Sequence, residues 1–244
     1  MNIIGIIPAR YQSSRLPGKP IIDICGKPMI WWVYQQAKKV IGLSEILVAA
    51  DDEKVYKVCE KLSIPYIKTS SDHPSHVHRL LEVAEKKQAD AYVCICGDEP
   101  LIEPKVVQAV IPRDEDALVP ILVRGVYREL TSPTEVLDSG NIKIIVDETG
   151  RALALSRTPI PNPYKTIDFS YLKTVGIECF NKAALEFYVN TAKGSWESVE
   201  DIMMLRFVEH HIPVYFTKVI SDSLSVDTQR DLDHIRRRIS DKKL

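Results

Sequence analysis

The chain carries no surplus of charge. Its 32 Lys and Arg stand against 33 Asp and Glu, a formal net charge of −1, which gives nonspecific nucleic-acid binding or adsorption to an acidic membrane no support. No run approaches the roughly 18 apolar residues of a membrane span. The first apolar run has no basic segment ahead of it and is too short for a secretory leader. No internal repeat or low-complexity segment is present. Cysteine is scarce and odd in number: Cys25, Cys59, Cys94, Cys96 and Cys179. Three of the five sit in strongly apolar contexts, which argues for reduced thiols in a cytoplasmic protein rather than a disulfide framework. The CxC of "CICG" ends the apolar run "AYVCIC" and reads as buried strand cysteines. What remains is ordinary globular composition, 45% hydrophobic and 27% charged over 244 residues, enough for one large domain.

Apolar runs of strand length alternate with longer periodic segments. Residues 3–7, 45–50, 65–69 and 91–96 read as strands. Residues 28–40, 52–62 and 78–87 read as helices, the first with a proline in its opening turn and cations at its end. Such βαβ alternation requires a mostly parallel sheet with helices on both faces. The pattern then changes. Strands are expected at 117–123, 141–147 and 152–156, the last two joined as a hairpin by the turn sequence "DETG". Helices near 181–190 and 199–209, a strand at 213–220 and a helix near 229–240 complete the chain. The proline-punctuated "SRTPIPNP" reads as an elaboration of this one domain, an insertion near 150–180 suited to a subunit contact.

Three stretches carry chemistry. The first strand runs into "PARYQSSRLPGKP", which places Arg10, Arg15 and Lys19 within ten positions. Glycine and proline let the backbone turn closely around a ligand, and guanidinium forks with a lysine point charge suit phosphate oxygens. The Walker A order of glycine, lysine and hydroxyl is missing, so this is a different phosphate loop. In "CICGDEP", Asp98 leaves a buried strand just after Gly97. A carboxylate there can hold Mg²⁺ beside phosphates. Equally, Asp98 or Glu99 can cap the helix expected over "PKVVQAVI". Both stretches follow strands of the parallel sheet, at the edge where ligands collect. In "SVDTQRDLDHI", Asp227 precedes a helix start, with Thr228 as its cap candidate.

The ordered set "IIPARYQSSRLPGKPIIDICGKPMI", "VAADDEKV", "DHPS", "GDEPLI", "NIKIIVDETGRALALSRTPIP", "YLKTVGI" and "SVDTQRDL" resembles the CMP-KDO synthetases, the 3-deoxy-manno-octulosonate cytidylyltransferases. The similarity runs from about residue 1 to 235, and the order is far more specific than any single motif. The resemblance implies a Rossmann-like nucleotidyltransferase fold and a homodimer joined through the proline-containing insertion. It implies transfer of CMP from CTP to a 2-keto-3-deoxy sugar acid or similar anionic acceptor, with Mg²⁺ and release of pyrophosphate, for bacterial surface polysaccharide assembly. Arg10, Ser13, Ser14, Arg15 and Lys19 would hold the nucleotide phosphates. Ala9, Ser75, Arg79 and Asp98 would complete the nucleotide site, and Asp98 and Asp227 would hold Mg²⁺. Arg15, Lys19, Asp98 and Asp227 would carry the catalysis. Cys96, Arg157, Thr174, Glu200, Met203 and Met204 would meet the acceptor. Retention of the four catalytic positions argues against a binding protein that has lost turnover. Another base or a non-sugar acceptor is the alternative within the same fold.

The sequence departs from the family at selective positions. The usual SGTDR is "SHVHR" at 75–79, where His76, Val77 and His78 replace Gly, Thr and Asp in the segment that helps form the cytosine site. The usual NVQGDEP is "CICGDEP", with Cys96 for glutamine. The usual HVGIY is "TVGIE", with Thr174 for histidine. The usual ESLEQLR is "EDIMMLR", with Met203 and Met204 for acidic and amide residues. These four positions surround KDO in the family, so a changed acceptor is expected, with ordinary helix packing as the plainer reading of the two methionines. In "DHPSHVHR", Asp72, His73, His76 and His78 have crowded spacing that could bind Zn²⁺ or another transition metal. The favoured reading places these histidines near the base or triphosphate.

Overall fold

The computed structural model describes residues 1–13 and 16–242. Strand β1 (Ile3–Ala9) opens the chain and a 3₁₀ turn follows at Lys19–Ile21. A small ribbon, β2 (Asp23–Ile24) and β3 (Lys27–Pro28), leads into α1 (Met29–Ala37). Next come β4 (Glu45–Ala50), α2 (Glu53–Lys61), β5 (Tyr66–Lys68), α3 (His76–Lys86), β6 (Ala91–Ile95) and α4 (Pro104–Gln108). The second half contains β7 (Val123–Glu129), α5 (Pro133–Leu137), β8 (Lys143–Val146), β9 (Ala152–Ser156) and β10 (Leu172–Phe180). It closes with α6 (Lys182–Asn190), α7 (Ser195–Glu200), α8 (Met204–Glu209), β11 (Tyr215–Lys218) and α9 (Gln229–Lys242).

The central sheet runs β11-β7-β10-β6-β1-β4-β5. β1 pairs in parallel with both β4 and β6, and β4 with β5, as the alternating pattern requires. Alternate residues of the buried strands feed opposite faces. Ile4, Ile6, Tyr92 and Cys94 enter one core, while Ile3, Ile7, Val93 and Ile95 enter the other. Because helices cover both faces, these strands read as continuous apolar runs. A third, smaller core gathers Leu16, Ile24, Met29 and Trp32 with Val226, Leu232, Ile235 and Ile239, which seats the final helix beside the first loop.

β10 is the main feature absent from the sequence expectations. It lies antiparallel between β6 and β7, so residues 172–180 belong to the middle of the sheet. Within the 150–180 stretch, the irregular part is 157–171, with Tyr164 and Ile167 almost fully exposed. The expected strand at 117–123 starts only at Val123: the preceding residues form a 3₁₀ turn over Asp114–Leu118, and Pro120 has no amide to give a ladder. The expected helix at 199–209 is two helices, broken where Asp201 takes a left-handed φ of 50°. The β8–β9 hairpin forms as expected, its turn closed by Gly150 N–H donating to Asp147 O at 3.0 Å. No helix of the described residues is long and apolar enough to cross a membrane.

The loop before α3 is fastened by one carboxylate. Glu82 accepts from His73 Nε2 at 2.6 Å, from Ser70 N–H at 2.8 Å and from Lys86 Nζ at 2.5 Å. Burial works against its charge, but these partners prevail and hold its pKa at about 2. A carboxyl depressed in the folded state contributes stability above the ordinary carboxyl range, and that contribution fades as pH falls toward about 2. Glu82→Gln should therefore be less stable than the parent at neutral pH, with the gap narrowing as the medium is acidified below about pH 4.5. Urea midpoints of both proteins across that range check this. A gap that stays constant with pH would rule it out.

Candidate active site

Two cavities open on the carboxyl side of the sheet. The first lies beneath the cationic loop and has a volume of about 740 Å³. β1 ends at buried Ala9, which pairs with Ala50 at the end of β4. The chain then leaves the sheet, and Tyr11 N–H donates to Asp51 Oδ1 at 2.9 Å. The other oxygen of Asp51 accepts from Arg79 Nη2, also at 2.9 Å, in a pair only 3–5% exposed. Gly18 takes a φ of 69° and its N–H donates back to Tyr11 O at 3.1 Å, closing the loop. The 3₁₀ turn then sets Lys19.

Lys19 is the centre of the site. Its Nζ lies 2.9 Å from Asp98 Oδ2 and 2.9 Å from Asp227 Oδ1. Burial opposes its charge, yet the two carboxylates outweigh that and raise its pKa. Asp98 arrives from β6 through Gly97, where a Cβ would sit 2.6 Å from Pro8 O, so only glycine lets the two loops lie this close. Asp227 arrives from the far end of the chain: Val226 N–H donates to Asp98 O at 2.9 Å, and the Asp227 N–H donates to Asp231 Oδ2 at 3.1 Å. Thr228 and Asp231 cap α9 reciprocally, at 2.8 and 3.3 Å. Arg10, Ser13, Lys19 and Asp98 line the first cavity together with Tyr11 and Gln12. Ser14 and Arg15 lie outside the described residues. The capping alternative for Asp98 fails, because the residue preceding α4 is Glu103. Glu99 is buried instead, accepts from Ser223 Oγ at 2.7 Å, and has its pKa raised by burial.

The second cavity, about 710 Å³, gathers Ser75, His76, His78, Thr174, Glu178, Met203 and Met204. Its floor is a buried ion pair. Arg206 donates from Nε and Nη2 to Glu197 at 2.5 and 2.7 Å, and its guanidinium lies 3.8 Å from the Tyr188 ring centre. Tyr188 Oη donates to Glu197 at 3.1 Å, and burial, then Glu197, pushes its pKa up to about 12. Met204 is core-buried while Met203 is half-buried, so the packing reading describes Met204 better.

Several expected residues act as braces. Arg79 is buried against Asp51 and Thr69 and lines neither cavity. Arg157 donates to three backbone carbonyls, of Glu200, Ser139 and Asp201, at 2.6, 2.9 and 3.1 Å. Glu200 accepts from Ser156 Oγ and from the Arg157 N–H, and the first of these contacts leads in lowering its pKa. Together they tie the end of β9 to the α7–α8 break, whose Asp201 and Ile202 form a wall of the second cavity. The Cys96 thiol donates to Gly176 O at 2.6 Å, between the two cavities. The histidines do not gather at the first cavity: His76 and His78 line the second, and His73 is engaged by Glu82. Sequence reasoning missed Asp51, Tyr188, Glu197 and Arg206. Of these only Asp51 carried a signal, an acidic pair directly after a strand.

The model of the family described as cytidylyltransferase matches residues 4–220. The 3-deoxy-manno-octulosonate cytidylyltransferase of Escherichia coli is 38% identical over 234 residues, covering 95% of this chain and 93% of that protein. The enzyme of the same name from Lawsonia intracellularis is 37% identical, covering 95% of this chain and 92% of its own. A solved structure of CMP:2-keto-3-deoxy-manno-octonic acid synthetase complexed with CTP superposes with a TM-score of 0.92 at 35% identity, covering 99% of this chain and all of that one. The inositol-1-phosphate CTP transferase of T. maritima, at 15% identity and a TM-score of 0.67, shares the fold.

Removing the central cation should leave two facing carboxylates. Lys19→Met should cost about 1–3 kcal/mol of stability at neutral pH. Denaturant melts at neutral pH measure it. An unchanged midpoint at neutral pH would show that the bridge stabilises nothing.

Proposed function

The chain belongs to the cytidylyltransferase family, and on that premise we propose that it uses CTP to place a CMP group on the anomeric hydroxyl of a 2-keto-3-deoxy sugar acid of the KDO class, releasing pyrophosphate. The observation that carries this is the meeting of Lys19, Asp98 and Asp227 at a cavity that Arg10 and Ser13 also line. A triphosphate seated there meets a guanidinium fork, a lysine point charge and a hydroxyl. Lys19 and Arg10 offset the charge that builds on pyrophosphate as it departs. The Asp51 contact and the Gly18 turn fix Tyr11 and Gly18 before substrate arrives, so Arg10 and Lys19, which adjoin them, need little reorganisation. The acceptor's own hydroxyl is the nucleophile, and no side chain is needed to form a covalent intermediate.

The donor set fits Mg²⁺. Two carboxylates already converge on one cationic position, the Lys19 ammonium, at 2.9 Å each. Mg²⁺ favours one or two carboxylates with phosphate oxygens and water completing its shell. Asp98 and Asp227 would hold the ion, which when bound polarises the α-phosphate and neutralises its oxygens.

A second reading concerns the acceptor. Thr174, Met203 and Met204 line this cavity in place of the histidine, acidic and amide side chains usual in the family, which supports an acceptor with fewer hydroxyls than KDO. The exposed Tyr164, Ile167 and Phe169 support a homodimer joined through residues 157–171, and the absence of disulfides among five cysteines supports the cytoplasm as the compartment. The product fits a role in surface polysaccharide assembly.

Pyrophosphate release tests the reaction. CTP with KDO and Mg²⁺ should give turnover, and the other three nucleoside triphosphates should give little. Turnover with another base in preference to CTP would overturn the assignment. Asp98→Asn and Asp227→Asn should each lower kcat by about 10²-fold or more without changing the fold. Near-normal turnover in either removes that residue from the metal site. In the same assay, kcat/KM for KDO should be at least about ten-fold below that of the E. coli relative, since each lost partner costs about 1–3 kcal/mol. Comparable values exclude the altered acceptor. For the subunit contact, Ile167→Asp should sediment as a monomer where the parent sediments as a dimer; a monomeric parent would end that proposal.

A further inference from the structure

One group of side chains belongs neither to the phosphate-binding cavity nor to the proposed Mg²⁺ site. His76, Cys94 and Glu178 bring an imidazole nitrogen, a thiol sulfur and a carboxylate oxygen within 4.8 Å of one another. They come from three separate elements. Cys94 on β6 and Glu178 on β10 are a directly opposed antiparallel pair, so both project from the same face of the sheet. His76 is the first residue of α3, whose N-terminus passes over that face, and its Nε2 lies 3.1 Å from Glu178 Oε2. We propose that these three residues form a binding site for a divalent transition metal ion of borderline softness, of the Zn²⁺ class.

The chemistry of the set favours such an ion over Mg²⁺. Mixed sulfur, nitrogen and oxygen donors suit Zn²⁺ and Co²⁺, whereas Mg²⁺ takes oxygen alone. The geometry requires only small adjustments. Ligands of a tetrahedral Zn²⁺ lie about 3.3–3.8 Å apart, so side-chain rotation must draw in the widest separation by about 1 Å. The donors also have capacity to spare. Among the described residues, the contact with His76 is the only hydrogen bond of the Glu178 side chain, although that side chain is just 17% exposed. The thiol of Cys94, a residue 3% exposed, makes no hydrogen bond among them. A strand carboxylate facing a buried strand thiol gains little as packing.

The balance of the binding step is simple. The ion displaces the Cys94 thiol proton to solvent and binds the thiolate. The His76–Glu178 hydrogen bond is exchanged for two metal bonds, with the imidazole neutral and its proton on Nδ1. Three protein ligands leave the fourth position open. His76 and Glu178 both line the second cavity, whereas Cys94 lies beneath, so the open side faces that cavity. Water, or an oxygen of a molecule entering the cavity, can complete the shell. The neighbouring histidines stand apart, since His73 is engaged by Glu82 and His78 by Ser75 Oγ at 2.8 Å.

Binding is measured on the full chain without nucleotide or acceptor, so its outcome does not depend on the proposed reaction. Apo-protein titrated with Co²⁺ should bind it stoichiometrically, with a thiolate-to-cobalt charge-transfer band in the near ultraviolet and visible bands of tetrahedral intensity. Zn²⁺ should displace Co²⁺, and a large excess of Mg²⁺ should not. Cys94→Ser should abolish the charge-transfer band. His76→Asn, at a half-exposed helix start where folding is little affected, should weaken Co²⁺ binding at least ten-fold, while Asp98→Asn should leave the spectrum unchanged. Absence of the band in the parent, or stoichiometric binding that survives both Cys94→Ser and His76→Asn, would overturn the proposal.

Discussion

The ammonium of Lys19 holds together parts of the chain that are far apart in sequence. Its partners lie 79 and 208 positions away, one just after a central strand and one just before the last helix. The cation offsets the repulsion between the two carboxylates that converge on it. The small core of Leu16, Met29, Trp32, Val226, Leu232 and Ile235 is what brings the two ends of the chain to the same place. Apolar packing thus delivers the charged groups, and the ion pair fixes their final positions. A cationic site built in this way has its shape and its charge set by separate parts of the protein.

The second cavity is organised differently. Its floor is an ion pair that water hardly reaches: Glu197 takes both forks of Arg206, and Arg206 also donates to the carbonyls of Tyr188 and Thr191 at 2.5 and 2.8 Å. A buried pair of this kind is tolerable only because its donors are satisfied. It gives the cavity a rigid polar base beneath walls that mix apolar and polar side chains. The Arg157–Glu200 brace performs a similar duty at the rim, holding the α7–α8 break against the end of β9. Arg157 and Glu200 therefore shape the second cavity without lining it.

The first half of the fold was legible because parallel strands buried on both faces leave unmistakable apolar runs, and helices with capping residues lie between them. The cationic loop and Asp98 were legible for the same reason, since topology sends whatever follows such strands to one edge. β10 was hidden because LKTVGIECF carries Lys173, Thr174 and Glu178, and these polar residues obscure a strand at the middle of a sheet. The break at Asp201 had no glycine to announce it. The floor of the second cavity was invisible for a more general reason: Tyr188, Glu197 and Arg206 meet only through tertiary packing, and each alone looks like an ordinary helix residue. The same holds for His76, Cys94 and Glu178. The crowded histidine motif hinted at a metal, yet the partners His76 meets are on distant strands rather than beside it in sequence.

The irregularity in β10 has a consequence for how this chain can change. Along β7, the partner of Val175 is Val126 and the partner of Glu178 is Gly125, so β10 advances three residues while β7 advances one. The surplus is two, an even number, and an even surplus preserves the parity of the strand. Thr174 and Glu178 consequently keep a common side and look into one cavity. Paired residues share a face, so the pairing of Glu178 with Gly125 and Cys94 fixes its direction, and the stretch between Val175 and Glu178 absorbs the surplus. Length variation at this point is therefore local: a residue gained or lost inside the kink can be taken up there, with the pairs on either side facing as before.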